Sequence, residues 1–159
     1  MKTFSLKKQQ FVPRPLREVF LFFETPENLA VITPPWLGFR ILTPSPIRMK
    51  GGTVIEYSVR VMGIRIRWKS HISMYEPPHA FVDEQLKGPY TFWQHTHRFV
   101  EIDGGTLLAD EIHYSMPFGI LGQIVNRLIV YNQLQRIFNY RAQKIERMFR
   151  YTEPLANIA

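Results

Sequence analysis

Hydrophobic and polar residues alternate weakly over residues 4–12, which predicts a first β-strand ended by prolines. Apolar residues then recur at helical spacing over residues 16–23 and 28–32, which predicts two short helices. Strand patterns dominate residues 39–116, where glycine and proline pairs separate about six strands. Residues 120–149 contain no proline, and the pattern there predicts one long helix.

Two segments show the clearest amphipathic patterns. In the strand predicted over residues 64–75, one face carries Ile64, Ile66, Trp68, Ser70, Ile72 and Met74, while basic residues such as Arg65 and Arg67 occupy the other. The long helix is predicted to bury one face, formed by Leu121, Ile124, Val125, Leu128, Leu134, Phe138, Ile145 and Met148.

This order predicts an α+β fold in which a curved antiparallel sheet of about six to seven strands wraps a long C-terminal helix. Two short helices follow strand 1. A straight helix cannot fill the concave face of a bent sheet completely, so we expect a cavity there, and such cavities bind ligands. Residues 1–159 are predicted to form a single domain, with residues 153–159 frayed at the end.

Composition narrows the classes of partner and compartment. The net charge of +7 favours an anionic partner. The basic residues are scattered, however, and no recognition motif accompanies them, so we expect no nucleic acid. The absence of cysteine excludes disulfides and thiolate chemistry and fits a reducing compartment. No signal peptide is visible and no apolar run reaches the ~18 residues of a membrane span, so a cytoplasmic location is expected.

Polar residues with catalytic or ligand-binding chemistry fall on three neighbouring strands. Trp93, His95, His97 and Phe99 share one strand face, and the aromatic residues place this face on the concave side. The next strand is predicted to point Asp110 and Tyr114 inward. The preceding strand is ambiguous, because each of its faces mixes polar and apolar groups: Asp83 and Gln85 share one, and Glu84 lies on the other.

Three interpretations of these polar residues stay open. They form a buried network that fixes strand pairing, they recognise a ligand, or they carry out acid–base catalysis with histidine oriented by a carboxylate. A metal site at His95 and His97 would need a third protein ligand, and the other histidines, His71, His79 and His113, lie on other segments. We therefore expect no metal and no cofactor.

Two further features have alternative interpretations. Arg141, far along the long helix, either reaches into the cavity to meet a carboxylate such as Asp110 or extends to solvent. The apolar segment 116–122 forms a lid, a membrane-touching loop or an ordinary strand-to-helix connection.

Several local motifs occur together along the chain. They are NLAVITPPWL at residues 28–37, FVDEQLKGPY at 81–90 and WQHTHRF at 93–99, followed by Gly105-Thr106 with Asp110 and Tyr114. As a set they resemble one bacterial, cyclase/dehydrase-like branch of the START/Bet v 1-like (SRPBCC) superfamily. The resemblance implies the helix-grip fold. The superfamily includes carriers of lipids, sterols and quinones as well as polyketide aromatase/cyclases, so the fold alone does not select a chemistry. Related domains also occur joined to nucleotide-sugar-epimerase-like domains. This sequence lacks a nucleotide-binding glycine fingerprint, so no epimerase activity is implied.

The main functional prediction is binding or transport of a small hydrophobic or aromatic ligand in an internal cavity. One alternative is an aromatase/cyclase- or dehydrase-type enzyme that uses a pocket histidine and carboxylate. Another is a lipid or quinone chaperone that contacts the membrane surface. The residues predicted to line the ligand site are Tyr57, Trp68, Asp83, Gln85, Trp93, His95, His97, Asp110, Tyr114, Phe138 and Arg141.

Overall fold

A computed structural model describes residues 2–151 and shows a seven-stranded antiparallel sheet in the order β1-β7-β6-β5-β4-β3-β2. The strands are β1 (Thr3–Val12), β2 (Arg40–Ile41), β3 (Val54–Val61), β4 (Ile64–Glu76), β5 (Ala80–Lys87), β6 (Phe92–Ile102) and β7 (Gly105–Ser115). From β3 to β7 consecutive strands pair through short turns, β2 pairs with β3 across a longer connection, and β1 pairs with the last strand, β7. The predicted strand content and order are confirmed, although β2 is shorter than its sequence pattern suggested.

Short helices follow β1, as predicted. They are α1 (Leu16–Glu24), a 3-10 turn (Pro26–Asn28), α2 (Leu29–Ile32) and a second 3-10 turn (Pro35–Leu37). Leu16, Val19 and Phe20 of α1 are buried because their helical spacing places them on one apolar face against the sheet. This insert covers one end of the concave face.

The C-terminal helix is continuous but not uniform. It consists of α3 (Gly119–Val125), a π-helical segment (Asn126–Val130) and α4 (Tyr131–Tyr151). No helix among the described residues is long and apolar enough to cross a membrane. The predicted frayed end, residues 153–159, lies outside the described residues.

The buried face of this helix differs from the prediction at its N-terminal end. Leu134, Phe138 and Ile145 are buried as expected, whereas Leu121, Ile124 and Leu128 are exposed. Gly122, Asn126 and Val130 are buried in their place, four residues apart. A π-helical turn holds more residues than the 3.6 of an α-helix, so it rotates the preceding residues away from the face that ordinary periodicity predicts.

The predicted inner faces of the central strands are confirmed. In β6 the side chains of Trp93, His95, His97 and Phe99 are buried and alternate with more exposed neighbours. In β7 the same alternation buries Leu108, Asp110, Ile112 and Tyr114. The ambiguous strand is resolved as well, because Phe81 and Asp83 of β5 line the space under the concave face. The polar residues of three adjacent strands therefore meet inside the protein.

Candidate functional site

A cavity of about 200 Å³ lies between the concave face of the sheet and the C-terminal helix. Its wall is largely apolar and aromatic. An engineered cavity of about 150 Å³ in another protein admits benzene, so this volume suits a ligand with at least one aromatic ring. The side chains that line it from the sheet and the helix include Tyr57, Val59, Trp68, Ser70, Phe81, Asp83, Tyr90, Trp93, His95, His97, Leu134, Ile137, Phe138 and Arg141.

Eight of the predicted ligand-binding residues line this cavity: Tyr57, Trp68, Asp83, Trp93, His95, His97, Phe138 and Arg141. Gln85, Asp110 and Tyr114 do not. The Gln85 amide donates to the Tyr90 carbonyl oxygen at 2.7 Å, and the Tyr114 hydroxyl donates to Asn126 Oδ1 at 2.8 Å. Asp110 lies behind the two histidines. These three residues hold the wall in place instead of forming its surface.

Four of the lining aromatic residues form a connected group. The Tyr57 and Trp68 rings stack with centroids 5.9 Å apart, and Trp68 meets Trp93 edge to face at 5.2 Å. Tyr90 lies 4.8 Å from Trp93. Rings that contact one another in offset or edge-to-face geometry form a rigid apolar wall, which suits a planar ligand.

A compact cluster of two histidines and two aspartates forms the polar part of the site. Strand register creates it, since Asp83 of β5 pairs with His95 of β6, and His97 of β6 pairs with Asp110 of β7. Asp110 Oδ1 lies 2.9 Å from both His95 Nε2 and His97 Nδ1. On the opposite side, Asp83 Oδ2 lies 3.5 Å from His95 Nδ1 and 3.4 Å from His97 Nε2.

The contacts of the two imidazoles with Asp110 differ. An ionised carboxylate only accepts, so His95 Nε2 donates its hydrogen to Asp110. The bond from His95 is well aligned. The 2.9 Å contact of His97 Nδ1 lacks the angle of a good hydrogen bond, so we describe it as an ionic contact. The remaining nitrogens, His95 Nδ1 and His97 Nε2, both face Asp83.

Burial and charge act against each other in this cluster. Burial lowers the pKa of His95, neighbouring His97 lowers it further, and the two aspartates oppose this shift without reversing it. Burial also disfavours the charged form of His97, but contacts with Asp110 and Asp83 outweigh it and raise its pKa. Burial alone would raise the pKa of Asp110, yet the two histidines hold that pKa well below its usual range. Both Asp110 and Asp83 therefore stay ionised.

Two hydrogen-bond donors at the cavity wall have no partner among the described residues: Arg141 Nε and Trp68 Nε1. The Arg141 guanidinium lines the cavity 4.8 Å from the centre of the Phe138 ring. Of the two orientations considered for this side chain, the structure thus shows the inward one. Burial lowers the pKa of Arg141, and the charges of Asp110 and Asp83 oppose that effect. Buried donors normally have acceptors, so two donors without one beside the same cavity are unusual.

Several lining residues were missed by the sequence analysis. Ile137 and Leu134 contact the cavity from α4, and Ser70 contacts it from β4. The sequence contains a signal for two of them, because Ser70 lies on the predicted inner face of its strand and Ile137 is one helical turn before Arg141. Asp83 had been left undecided between two faces, so its place beside both histidines also goes beyond the sequence pattern.

No protein-family model matches the sequence, and no curated protein matches it. Solved structures with the same architecture do exist. A di-domain ARO/CYC protein, StfQ, from the steffimycin biosynthetic pathway has a TM-score of 0.72 at 13% identity, covering 93% of this chain and 51% of that one. A major latex-like protein from Panax ginseng has a TM-score of 0.67 at 14% identity, covering 92% and 97%.

A third similar structure is a norcoclaurine synthase variant from Thalictrum in complex with a transition-state analogue. It has a TM-score of 0.64 at 13% identity and covers 91% of this chain and 94% of that one. At such low identity these similarities establish the fold and not the chemistry. The chain therefore has the same helix-grip fold as these structures, which is the fold that the resemblance to the START/Bet v 1-like (SRPBCC) superfamily implied.

Proposed function

We propose that this protein binds a small, largely apolar or aromatic ligand in the cavity between its sheet and its C-terminal helix. The observation that carries the proposal is the cavity itself, because about 200 Å³ of space is kept open inside a core that otherwise packs closely. An apolar wall with a few convergent polar groups is typical of small-molecule sites.

The polar groups refine the kind of ligand. Arg141 and Trp68 offer donors that no described residue accepts, and both reach the cavity. A ligand with an acceptor oxygen, such as a carboxylate or phenolate, would satisfy them. Arg141 would supply a charge-assisted hydrogen bond, which is stronger than one between neutral groups. The proposed ligand is thus an aromatic or aliphatic body with one acidic or strongly accepting group.

Filling the cavity is expected to abolish binding without unfolding the protein. Ile137 is half-buried and lines the cavity, so Ile137→Phe places extra carbon atoms where the ligand would lie. We expect at least a tenfold weaker affinity for the probe 1-anilinonaphthalene-8-sulfonate, which combines fused and single aromatic rings with an acidic group. Fluorescence titration measures the affinity, and native mass spectrometry of the protein as purified checks for a ligand retained from the cell.

The matched control is Ile129→Phe, the same substitution at an exposed position outside the cavity lining. Probe affinity should stay within twofold of the wild type there. Equal affinity in both variants would show that the probe binds elsewhere and would contradict the proposed site.

A second candidate function, contact with a membrane surface, rests on one specific observation. Around the start of the C-terminal helix, five large apolar side chains are exposed: Phe118, Ile120, Leu121, Ile124 and Leu128. Exposed apolar residues that lie close together usually mark an interaction surface. The net charge of +7 favours anionic lipid over a neutral surface. A lipid or quinone taken from a membrane is one source of the proposed ligand.

An acidic residue in this surface is expected to reduce vesicle binding. In Ile120→Glu a side chain that is 77% exposed becomes anionic, so it loses apolar contact and is repelled by anionic headgroups. We expect at least a fivefold loss of co-sedimentation with phosphatidylserine-containing vesicles. Ile64→Glu introduces the same charge at a 69% exposed isoleucine of β4 and should have a smaller effect. Equal losses of vesicle binding in both variants would show that net charge alone governs the interaction and would contradict a role for this surface.

A further inference from the structure

The cluster of Asp83, His95 and His97 has a property that neither ligand binding nor strand pairing explains. Each residue offers one potential metal-ligand atom, and these three atoms lie within 4.8 Å of one another. All three side chains line the cavity, whereas Asp110 contacts the histidines from behind. No metal was expected from the sequence because it did not identify a third protein ligand for His95 and His97; in the structure the third potential donor is a carboxylate from the neighbouring strand.

The spacing of these atoms fits a shared ion better than direct hydrogen bonds. Asp83 Oδ2 lies 3.5 Å from His95 Nδ1 and 3.4 Å from His97 Nε2. Hydrogen bonds between nitrogen and oxygen are shorter, about 2.7–3.2 Å. By contrast, donor atoms about 2.0–2.1 Å from a tetrahedral zinc ion lie roughly 3.3–3.4 Å from each other. The carboxylate is therefore at the separation that coordination of one ion requires.

The outer contacts also match those of a metal site. Histidines that bind metals usually donate their second ring N–H to a carboxylate, which sets the tautomer and the ring orientation. Asp110 has this relation to His95, whose Nε2 lies 2.9 Å from Asp110 Oδ1, and the same oxygen makes an ionic contact with His97 Nδ1, also at 2.9 Å. The ring nitrogens that face Asp83, His95 Nδ1 and His97 Nε2, are the atoms that a metal ion would bind in their deprotonated form.

We propose that Asp83, His95 and His97 bind a divalent first-row transition-metal ion at the cavity wall, with Asp110 as the residue that positions both imidazoles. Two imidazoles and one carboxylate favour ions such as Zn²⁺, Fe²⁺ or Co²⁺ over Mg²⁺ and Ca²⁺, which prefer oxygen donors alone. Three protein ligands leave coordination positions open, as in catalytic metal sites. Here those positions face the cavity, where an oxygen of a bound molecule would complete the coordination.

Metal alone is the probe for the first experiment, so its outcome does not depend on whether the cavity binds an organic ligand. Tag-free protein is treated with a chelator and titrated with Co²⁺, followed by visible absorption, and with Zn²⁺, followed by calorimetry. We expect saturable 1:1 binding to the wild type. Asp83→Asn should weaken binding at least about 100-fold, beyond the 10–100-fold loss typical of an outer-shell change such as Asp110→Asn.

Matched controls are available on the same strands. Glu84→Gln changes the carboxylate next to Asp83 in the sequence. Glu84 lies outside the cluster, where it accepts a hydrogen bond from Gln94 and lies near His71. His71→Asn removes a histidine outside the cluster. Both variants should keep the wild-type affinity. Circular dichroism of each metal-free variant establishes that it folds. His97→Gln provides a second variant if Asp83→Asn does not fold.

An independent measurement uses the wild type only. Addition of Zn²⁺ should shift the ring ¹⁵N resonances of His95 and His97 and leave those of His71, His79 and His113 unchanged. Absence of saturable binding to the wild type would overturn the proposal. So would full affinity in Asp83→Asn and His97→Gln, or shifts confined to the other histidines. Binding of the aromatic probe to the metal-free protein would then still support the proposed ligand-binding function.

Discussion

Replacing Asp110 by alanine is expected to lower the free energy of unfolding by about 3–5 kcal/mol, the usual cost of removing one partner from a buried ion pair. Asp110 is 7% exposed, and its Oδ1 lies 2.9 Å from a ring nitrogen of both His95 and His97. Without it, the buried His95 loses its hydrogen-bond acceptor and the buried His97 loses an ionic contact. Urea unfolding of chelator-treated protein, followed by circular dichroism, measures the change.

Glu111→Ala is the matched control, because Glu111 is the next residue of β7 and points to the other face. Its carboxylate also has two partners, Lys7 at 2.6 Å and His113 at 3.0 Å. These contacts are exposed to solvent, where ion pairs contribute about 0–1 kcal/mol. We therefore expect little change. An Asp110→Ala variant as stable as Glu111→Ala would contradict a structural role for the cluster and would favour the interpretations in which it acts on a ligand.

The inner face of β6 was predictable because alternation is a local property. In an antiparallel sheet with one buried face, every second residue must be apolar or paired, so Trp93, His95, His97 and Phe99 identify their own side. The order of strands and the long helix follow from similarly local signals. The cluster of two histidines and two aspartates does not follow from local signals. Which carboxylate meets which histidine depends on the register between strands, and the turns that set this register lie outside the strands themselves.

Asp83 illustrates this limit. Both faces of its strand mix apolar and charged residues, and both Phe81 and Val82 are buried in the structure. The local pattern therefore does not decide which face of this strand points to the interior. Pairing of Asp83 with His95 decides between them, and this pairing is a long-range contact. Periodicity also fails where it is not constant: the π-helical segment explains why Leu121 and Leu128 are exposed although an α-helical pattern would bury them.

Tyr114→Ala is the second substitution with a large expected effect, again about 3–5 kcal/mol, as for other buried aromatic residues changed to alanine. Tyr114 is fully buried, with 0% exposure. Its ring contacts Phe4 and Trp93, with centroids 5.6 and 6.0 Å away. Its hydroxyl donates to Asn126 Oδ1 in the π-helical segment at 2.8 Å. The residue therefore links the central sheet to the point where the long helix departs from α-helical geometry.

Tyr114→Phe separates the contribution of the buried ring from that of the hydroxyl hydrogen bond. It keeps the ring but leaves the buried Asn126 oxygen without its donor, so we expect a loss of about 1–3 kcal/mol. Tyr131→Ala, at a 40% exposed tyrosine of α4, is the control and should change stability by less than about 1 kcal/mol. The sequence analysis placed Tyr114 in the ligand site. If Tyr114→Phe instead left stability unchanged and weakened probe binding, that assignment would be correct and the hydroxyl would act on the ligand. Since Tyr114 does not line the cavity, we expect the opposite: a less stable protein that binds the probe with wild-type affinity.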